Sequence, residues 1–179
     1  MLINGTFFSI KVKSFSSQKY FDYFAPTEII FGAGRVTEAG ALAARYGKKA
    51  MLVTVPEFPA VAELYAKVKK SLADAGVACV HYDGVIPNPT TELVTRGAEL
   101  AKAEGVDVVI GLGGGSSMDT AKAIAVEATH PGTAWDYNCH TAGPTEQTLP
   151  ILAISTTAGT GSQTTPCAVI TKTSAKDKS

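Results

Sequence analysis

The sequence has few cysteines, and none of them falls into a recognisable motif. Its three cysteines, Cys79, Cys139 and Cys167, are far apart, and no CxxC occurs. This odd and scattered set argues against both a disulfide framework and a structural zinc site. The fold must therefore rest on a hydrophobic core, for which 179 residues with 45% hydrophobic content are sufficient.

The sequence also lacks an excess of charge of either sign and has no long hydrophobic run. Lys+Arg and Asp+Glu number 16 each, so the formal net charge is zero. A balanced chain without basic clusters has no bulk attraction to nucleic acid or to an anionic membrane. Residues 1–21 contain no apolar segment long enough for a signal peptide or a spanning helix. We therefore expect a soluble, cytoplasmic protein.

Apolar segments of strand length alternate along the chain with segments of helical periodicity. The predicted strands are residues 28–31, 49–55, 77–82, 106–112, 151–155 and 167–171. The predicted helices are residues 35–47, 57–75, 85–105 and 116–128, the third with Asn88 as its N-cap and Pro89 at its first position. Continuously apolar strands that alternate with helices indicate a parallel sheet covered on both faces.

This pattern predicts a doubly wound, Rossmann-like α/β domain with helices on both faces of the sheet. A single such domain would span residues 1–179, because the chain is too short for a second sizeable one. Residues 1–24 alternate apolar and polar side chains in places, so we expect an N-terminal β arm or hairpin there. Such an arm could pack on a partner subunit or cover a sheet edge.

A glycine cluster follows the predicted strand 106–112 and precedes a helix. Gly113, Gly114 and Gly115 lack a Cβ, so their backbone N–H groups can approach a pyrophosphate near a helix N-terminus. The segment fits neither GxGxxG, because position 116 is serine, nor the GK[ST] ending of a P-loop. The alternative interpretation of the three glycines alone is a tight strand–helix turn.

Two further polar segments follow predicted strands. "STTAGTGSQTT" (155–165) interleaves hydroxyls with glycines and could bond ribose, amide and phosphate oxygens, or be an ordinary solvated loop. "PNPTT" (87–91) offers the Asn88 amide to a ligand, although such an asparagine is more often only a helix cap. All three segments lie at the strand ends where doubly wound folds bind ligands.

Together these segments resemble the iron-containing (group III) alcohol dehydrogenase family. The resemblance covers the chain from about Phe24 to Ser179. It rests on "FGAGR" (31–35), "PNPT" (87–90), "GGGSSMDTAKA" (113–123) and "TTAGTGS" (156–162), in the family's order and at its approximate spacing. The last two motifs, some thirty residues apart, are specific.

The resemblance implies an α/β domain that binds NAD(H) or NADP(H), followed in the family by a helical domain that holds a divalent metal, iron or zinc. It assigns the pyrophosphate turn to Gly114 and Gly115, flanked by Gly113 and Ser116. The other cofactor contacts that it implies are Asn88, Asp119, Thr156, Thr157, Thr160, Val169 and Lys178.

The family's metal ligands, an aspartate and three histidines, lie beyond the residues present here, so we expect this chain to bind no metal and to represent the cofactor half alone. Its own histidines, His81, His130 and His140, do not replace them. Asp136, Cys139 and His140 are close in sequence, but their spacing is not that of a metal site. No catalytic residue stands out, since a threonine, Asp119 and His140 are equally eligible as proton donors.

Position 55 departs from the pattern of many NAD-preferring members. Those members carry an aspartate at the end of this strand, which accepts from the ribose 2′-hydroxyl and repels a 2′-phosphate. This chain has Val55, followed by Pro56 and Glu57. The loss of the carboxylate predicts NADPH use or dual use, unless Glu57 takes its place.

The resemblance implies an NAD(P)-dependent alcohol dehydrogenase, or an aldehyde reductase in the reverse direction, acting on a small alcohol or aldehyde. The alternative is a nucleotide-binding module without turnover. A sugar-phosphate or dehydroquinate-type relative is less favoured because of "TTAGTGS". Without the second domain, apolar surface at the junction would be exposed, so we also expect homo-oligomers.

Overall fold

The computed structural model describes residues 25–137, 143–175 and 177–178, with backbone alone for Ala175, Asp177 and Lys178. The predicted N-terminal arm, Cys139 and His140 lie outside these residues. The strands are β1 (Lys49–Val53), β2 (Ala78–Tyr82), β3 (Val108–Gly113), β4 (Ile151–Ser155), β5 (Thr171–Lys172) and β6 (Asp177–Lys178). The α-helices are α1 (Ala39–Ala43), α2 (Pro59–Asp74), α3 (Thr91–Glu104) and α4 (Gly115–Glu127). Short 3-10 helices are Arg35–Glu38, Ala134–Tyr137, Ser162–Thr164 and Thr173–Ala175.

Four parallel strands form the central sheet in the order β2-β1-β3-β4. From β1 the chain moves outward through α2 to β2, then crosses back through α3 to pair β3 with the other side of β1. The winding direction therefore reverses between β1 and β3. In sheets of this kind the crevice outside the carboxyl ends of these two strands is the usual ligand site.

A separate hydrophobic cluster covers each face of the sheet, as the continuous apolar strands predict. On one face, Tyr65, Val68 and Leu72 of α2 pack with α1 against Leu52 and Ile110. The opposite cluster brings buried side chains of α3 and α4 together with alternate strand residues: Val94, Ala101, Ala121, Ile124, Met51, Val53 and Val109. The doubly wound Rossmann-like fold is thus confirmed. Among the described residues, no helix is long and apolar enough to cross a membrane.

The sequence placed the strands of the central sheet within a few residues but misplaced other elements. Residues 28–31 form no strand, and of residues 167–171 only the last belongs to one. The helix predicted at 35–47 begins as 3-10 and ends as an α-helix at Ala43. Asn88 is not an N-cap, because α3 begins later and its N-cap is Thr90, whose Oγ1 accepts from Leu93 N at 3.4 Å.

A buried serine joins α2 to the start of α1 and gives a test of this packing. Ser71 is 8% exposed, accepts from Gly40 N at 2.8 Å and donates to Thr37 O at 2.6 Å. Ser71→Ala leaves a buried N–H and a carbonyl without this partner, so we expect the free energy of unfolding to fall by about 1–3 kcal/mol. Urea unfolding measures the loss, with Glu99→Ala on the exposed face of α3 as control. A loss equal to that of the control contradicts the prediction.

Candidate functional site

The two positions that flank the winding reversal are the end of β1 and the end of β3. Val53 pairs in register with Gly111, so Val55 and Gly113 leave neighbouring strands at the same edge. Gly113 in turn pairs with Ser155, where β4 ends and the threonine-rich loop begins. The glycine cluster, the loop and position 55 predicted from sequence therefore meet at one edge of the sheet.

The glycine cluster forms a tight turn from β3 into α4. Gly113 has a φ of 142°, and a Cβ built there would lie 2.5 Å from Ser117 Oγ, so a larger residue would strain the turn. Gly114 is the N-cap of the 13-residue helix α4, without a side-chain capping bond. The first N–H groups of a helix lack intrahelical acceptors, and they carry partial positive charge. This helix end can therefore receive an anion.

The threonine-rich loop faces the glycine turn across a narrow gap. Thr156 N donates to Gly113 O at 2.9 Å, which fixes the start of the loop against the turn. A Cβ at Gly114 would lie 3.5 Å from Thr157 Oγ1, and one at Gly115 would lie 3.5 Å from Thr160 Cβ. The missing side chains thus leave the first backbone amides of α4 uncovered beside exposed hydroxyls, an arrangement that suits the binding of a phosphate or sugar oxygen by both.

The "PNPT" segment reaches the same edge by pairing with the C-terminal part of the described chain. Thr171 N donates to Pro89 O at 2.8 Å, and Thr90 forms an isolated parallel bridge with Thr171. Asn88 is exposed and has a φ of 53°, in the left-handed region that asparagine tolerates. Val169 is 44% exposed. Lys178 is described by its backbone, in β6 opposite Thr171.

The backbone at position 55 is held by hydrogen bonds to its carbonyl oxygen. Val55 O accepts from Thr54 Oγ1 at 2.7 Å and from Tyr65 OH at 3.3 Å, so the end of β1 is fixed. His81 Nε2 lies 2.8 Å from Thr54 Oγ1. Burial lowers the pKa of the His81 imidazole, as does Lys69, against the opposing effect of Asp83 and Glu57. This histidine thus completes a polar network beneath Val55.

A buried ion pair, which the sequence did not indicate, lies on α4 behind the glycine turn. Lys122 and Asp119 have side chains 6% and 14% exposed, and Lys122 Nζ lies 3.6 Å from Asp119 Oδ1. Asp119 was predicted as a cofactor contact, and that role stays a prediction. Its two carboxylate oxygens accept from Ser162 Oγ at 2.7 Å and from Val169 N at 3.2 Å. One signal could have revealed Lys122, namely a lone lysine within the apolar stretch "AKAIA" at i+3 from an aspartate.

The described residues do not supply a metal site. Within residues 25–137, 143–175 and 177–178, no group of three His, Cys, Asp or Glu side chains could hold a metal ion. Asp136 accepts instead from Thr133 N at 2.8 Å and from Thr133 Oγ1 at 2.9 Å, and these bonds lower the pKa of its carboxyl. Its other suggested neighbours, Cys139 and His140, lie outside the described residues.

Comparison with known proteins identifies a family that the chain matches over most of its length. The family model for iron-containing alcohol dehydrogenase matches residues 26–179. The chain belongs to the iron-containing alcohol dehydrogenase family. It is 44% identical to choline dehydrogenase of Bacillus subtilis over 91% of this chain and 41% of that protein. It is 37% identical to 1,3-propanediol dehydrogenase of Citrobacter freundii over 90% of this chain and 42% of the relative.

Solved structures of family members share this fold. An archaeal halo-thermophilic alcohol dehydrogenase from a Red Sea brine pool, bound to NZQ, superposes with a TM-score of 0.85 at 42% identity, over 91% of this chain and 43% of that one. Sulfoacetaldehyde reductase from Bifidobacterium kashiwanohense, in complex with NAD+, superposes with a TM-score of 0.74 at 29% identity, over 89% and 42%. The chain therefore spans well under half the length of the relatives that it matches.

Proposed function

We propose that this chain binds the nicotinamide dinucleotide of an NAD(P)-dependent alcohol dehydrogenase, which acts as an aldehyde reductase in the reverse direction. The observation that carries the proposal is the close approach of the glycine turn and the threonine-rich loop, at the ends of β3 and β4 and next to the point where the sheet reverses its winding. There the side chains of Thr157 and Thr160 face backbone that carries no side chain of its own, at the N-terminus of α4. The names of the family relatives support the class of reaction.

In this proposal the backbone N–H groups of Gly113 to Ser116 bind the pyrophosphate, with the partial positive charge of α4 behind them. Hydroxyls across the gap bind cofactor oxygens, and the proposed residues are Thr156, Thr157 and Thr160. Asn88 contacts the adenosine side, since its segment joins the same edge through Thr171. Asp119, Val169 and Lys178 provide the remaining contacts that the family resemblance implies.

A bound nicotinamide ring supplies hydride chemistry, which the polypeptide itself lacks. The contribution of this chain is to bind and orient the dinucleotide, so that the ring is held in one position relative to a small alcohol or aldehyde. The described residues do not form a metal site, and we assign no step to a metal through them. No described side chain is assigned as the proton donor.

We further propose that residues 1–179 form a single NAD(P)-binding domain and that the metal-binding helical domain implied by the family resemblance is a separate unit. The protein is proposed to be cytoplasmic, with the dinucleotide and a small alcohol or aldehyde as partners rather than nucleic acid or membrane. Homo-oligomerisation is supported by two exposed apolar side chains, Ile29 and Phe31, which are 69% and 90% exposed. These side chains line a groove of about 570 Å³ beside β4.

The proposal is tested by titrating the purified chain with NADPH and with NADH while the fluorescence of the reduced nicotinamide is recorded. We expect saturable binding of at least one of the two. A simple aldehyde is then added, with and without EDTA, while nicotinamide absorbance is recorded. A chain that binds neither nucleotide contradicts the proposal.

The second stage separates an enzyme from a binding module. Turnover that EDTA leaves unchanged would assign reductase activity to these residues alone, whereas binding without turnover would favour the nucleotide-binding module. The control is Gly143→Val, at a glycine where an added Cβ meets nothing within 4 Å. This variant should bind each nucleotide with the same affinity as the unchanged chain.

A further inference from the structure

The buried ion pair on α4 joins two parts of the site that are distant in sequence. Lys122 Nζ donates to three oxygens in the second half of the threonine-rich loop (155–165) and just beyond it: Ser162 O at 2.7 Å, Ser162 Oγ at 2.8 Å and Cys167 O at 2.7 Å. Asp119 accepts from Ser162 Oγ and from Val169 N in the same region. We call this set of contacts the loop anchor.

Every donor of the Lys122 ammonium group has an acceptor in the loop anchor, and the loss of one partner would leave a buried polar group unpaired. An ammonium group has three donors, and here all three have oxygen partners in addition to the Asp119 carboxylate. Burial lowers the pKa of the Lys122 ammonium, and Asp119 opposes that shift. A buried charge is retained in a fold only where it is paired and hydrogen-bonded. The loop anchor therefore fixes the position of residues 162–169 relative to α4.

The same helix begins at the glycine turn. Lys122 lies in its middle, seven positions after Gly115, which is roughly 10 Å along the helix axis. At the turn, the start of the loop is fixed by the bond from Thr156 N to Gly113 O. Thr157 and Thr160 lie between these two attachments. Their distance from the turn is consequently set by α4, which acts as a rigid spacer.

We propose that Asp119 and Lys122 are positioning residues, which hold the threonine-rich loop at the distance from the glycine turn that a dinucleotide requires. The inference rests on the proposed function of that turn. It gives Asp119 a role through Ser162 and Val169, and it adds Lys122 to the residues on which binding depends. Neither side chain needs to touch the cofactor for this role.

The experiment uses Lys122→Met, which keeps the length of the side chain and removes its donors. Ser162→Ala is the milder variant, because it removes one hydroxyl of the anchor and leaves both charges in place. Lys70→Met is the matched control, since Lys70 forms an exposed ion pair with Asp74 at 2.6 Å, with side chains 75% and 62% exposed. Measurements are made well below the melting temperature of every variant.

Amide hydrogen exchange of residues 160–170 reports whether the loop anchor is intact, and the measurement needs no nucleotide. We expect faster exchange in Lys122→Met and Ser162→Ala, and unchanged exchange in the control. With NADPH, we expect the dissociation constant to rise about tenfold or more in Lys122→Met and about threefold or more in Ser162→Ala. The emission maximum of bound NADPH at saturation should also move toward that of the free nucleotide, which a loss of global stability alone would not cause.

The outcomes separate this inference from the proposed function. Unchanged exchange in both variants overturns the anchor, whether or not the chain binds a nucleotide. Faster exchange with wild-type affinity and emission overturns the positioning role and leaves a purely structural contact. A chain that binds neither nucleotide before substitution contradicts the proposed function, and with it the positioning role, while the exchange data still decide whether the anchor exists.

Discussion

Gly115→Val is expected to weaken NADPH binding about 100-fold or more while the chain remains folded. A Cβ at this position points across the gap to Thr160, whose Cβ and Cγ2 both lie 3.5 Å away. The two methyl groups of valine would fill the space that a phosphate needs beside the first N–H groups of α4. Hydrogen bonds to a charged group are each worth about 1.5–3 kcal/mol, so the loss of two accounts for the expected factor.

Stability should change little in this variant, because Gly115 is the first residue of α4, the Thr160 side chain that the valine methyl groups meet is exposed and can turn aside, and valine has a better helix propensity than glycine. Gly113→Ala is a less useful test, since its φ of 142° and the close Ser117 Oγ would disturb the turn itself. The measurement is a fluorescence titration beside a thermal melt, with Gly143→Val as control. Binding within threefold of wild type, with the melt unchanged, would show that the gap does not hold the cofactor.

The sheet and its two layers could be predicted because their signals are local. Continuous apolar runs of strand length bounded by glycine correspond to β1 and β3, and the run at residues 151–155 matches β4 residue for residue. Residues 28–31 contain three consecutive large apolar side chains but make no strand, and Ile29 and Phe31 remain exposed. An apolar run records a tendency to be buried, whereas strand pairing needs a neighbour, which the local sequence does not specify.

The error at the start of α3 has a similar cause. Asparagine followed by proline is a strong N-cap signal, but Asn88 adopts a φ of 53° and the chain stays extended through Thr90 before the helix begins. The bond from Thr171 N to Pro89 O and the bridge between Thr90 and Thr171 favour that extended path. A contact with a segment more than 80 residues away decided the helix start, and capping rules consider only neighbours.

The candidate site also has one part that the sequence predicts and another that it does not. Its glycines and threonines follow strands, and parallel strands bring their carboxyl ends to one edge, so the meeting of the turn and the loop could be expected from sequence. The partners of Asp119 could not, because Ser162 lies 43 residues away along the chain and is bonded to it only in the folded structure. Spacing indicated which residues gather at this edge but did not indicate which of them hold the others in place.

Val55→Asp is expected to lower the affinity for NADPH relative to the affinity for NADH by about 30-fold or more. The unchanged chain is expected not to prefer NADH. Position 55 lies two residues beyond the end of β1, on one side of the winding reversal and at the same edge as the glycine turn, where the family resemblance implies the adenosine ribose. A carboxylate about 5 Å from a 2′-phosphate is repelled by about 3 kcal/mol at an effective dielectric constant near 20, and solvent screening reduces this to about 2 kcal/mol. The same carboxylate accepts from the 2′-hydroxyl of NADH.

The backbone at this position should not move on substitution, because Val55 O is already held by Thr54 Oγ1 and Tyr65 OH. Val55→Asn is the matched control, since it has nearly the same shape without the charge, and it should change the ratio of the two affinities far less. Glu57→Gln tests whether the exposed Glu57 replaces the missing aspartate, and we expect it to leave the ratio within about threefold. Dissociation constants for both nucleotides are measured at one ionic strength, because the repulsion is screened by salt. An unchanged chain that binds NADH well over tenfold more tightly than NADPH would contradict the prediction, and a large effect of Glu57→Gln would transfer the specificity role to Glu57.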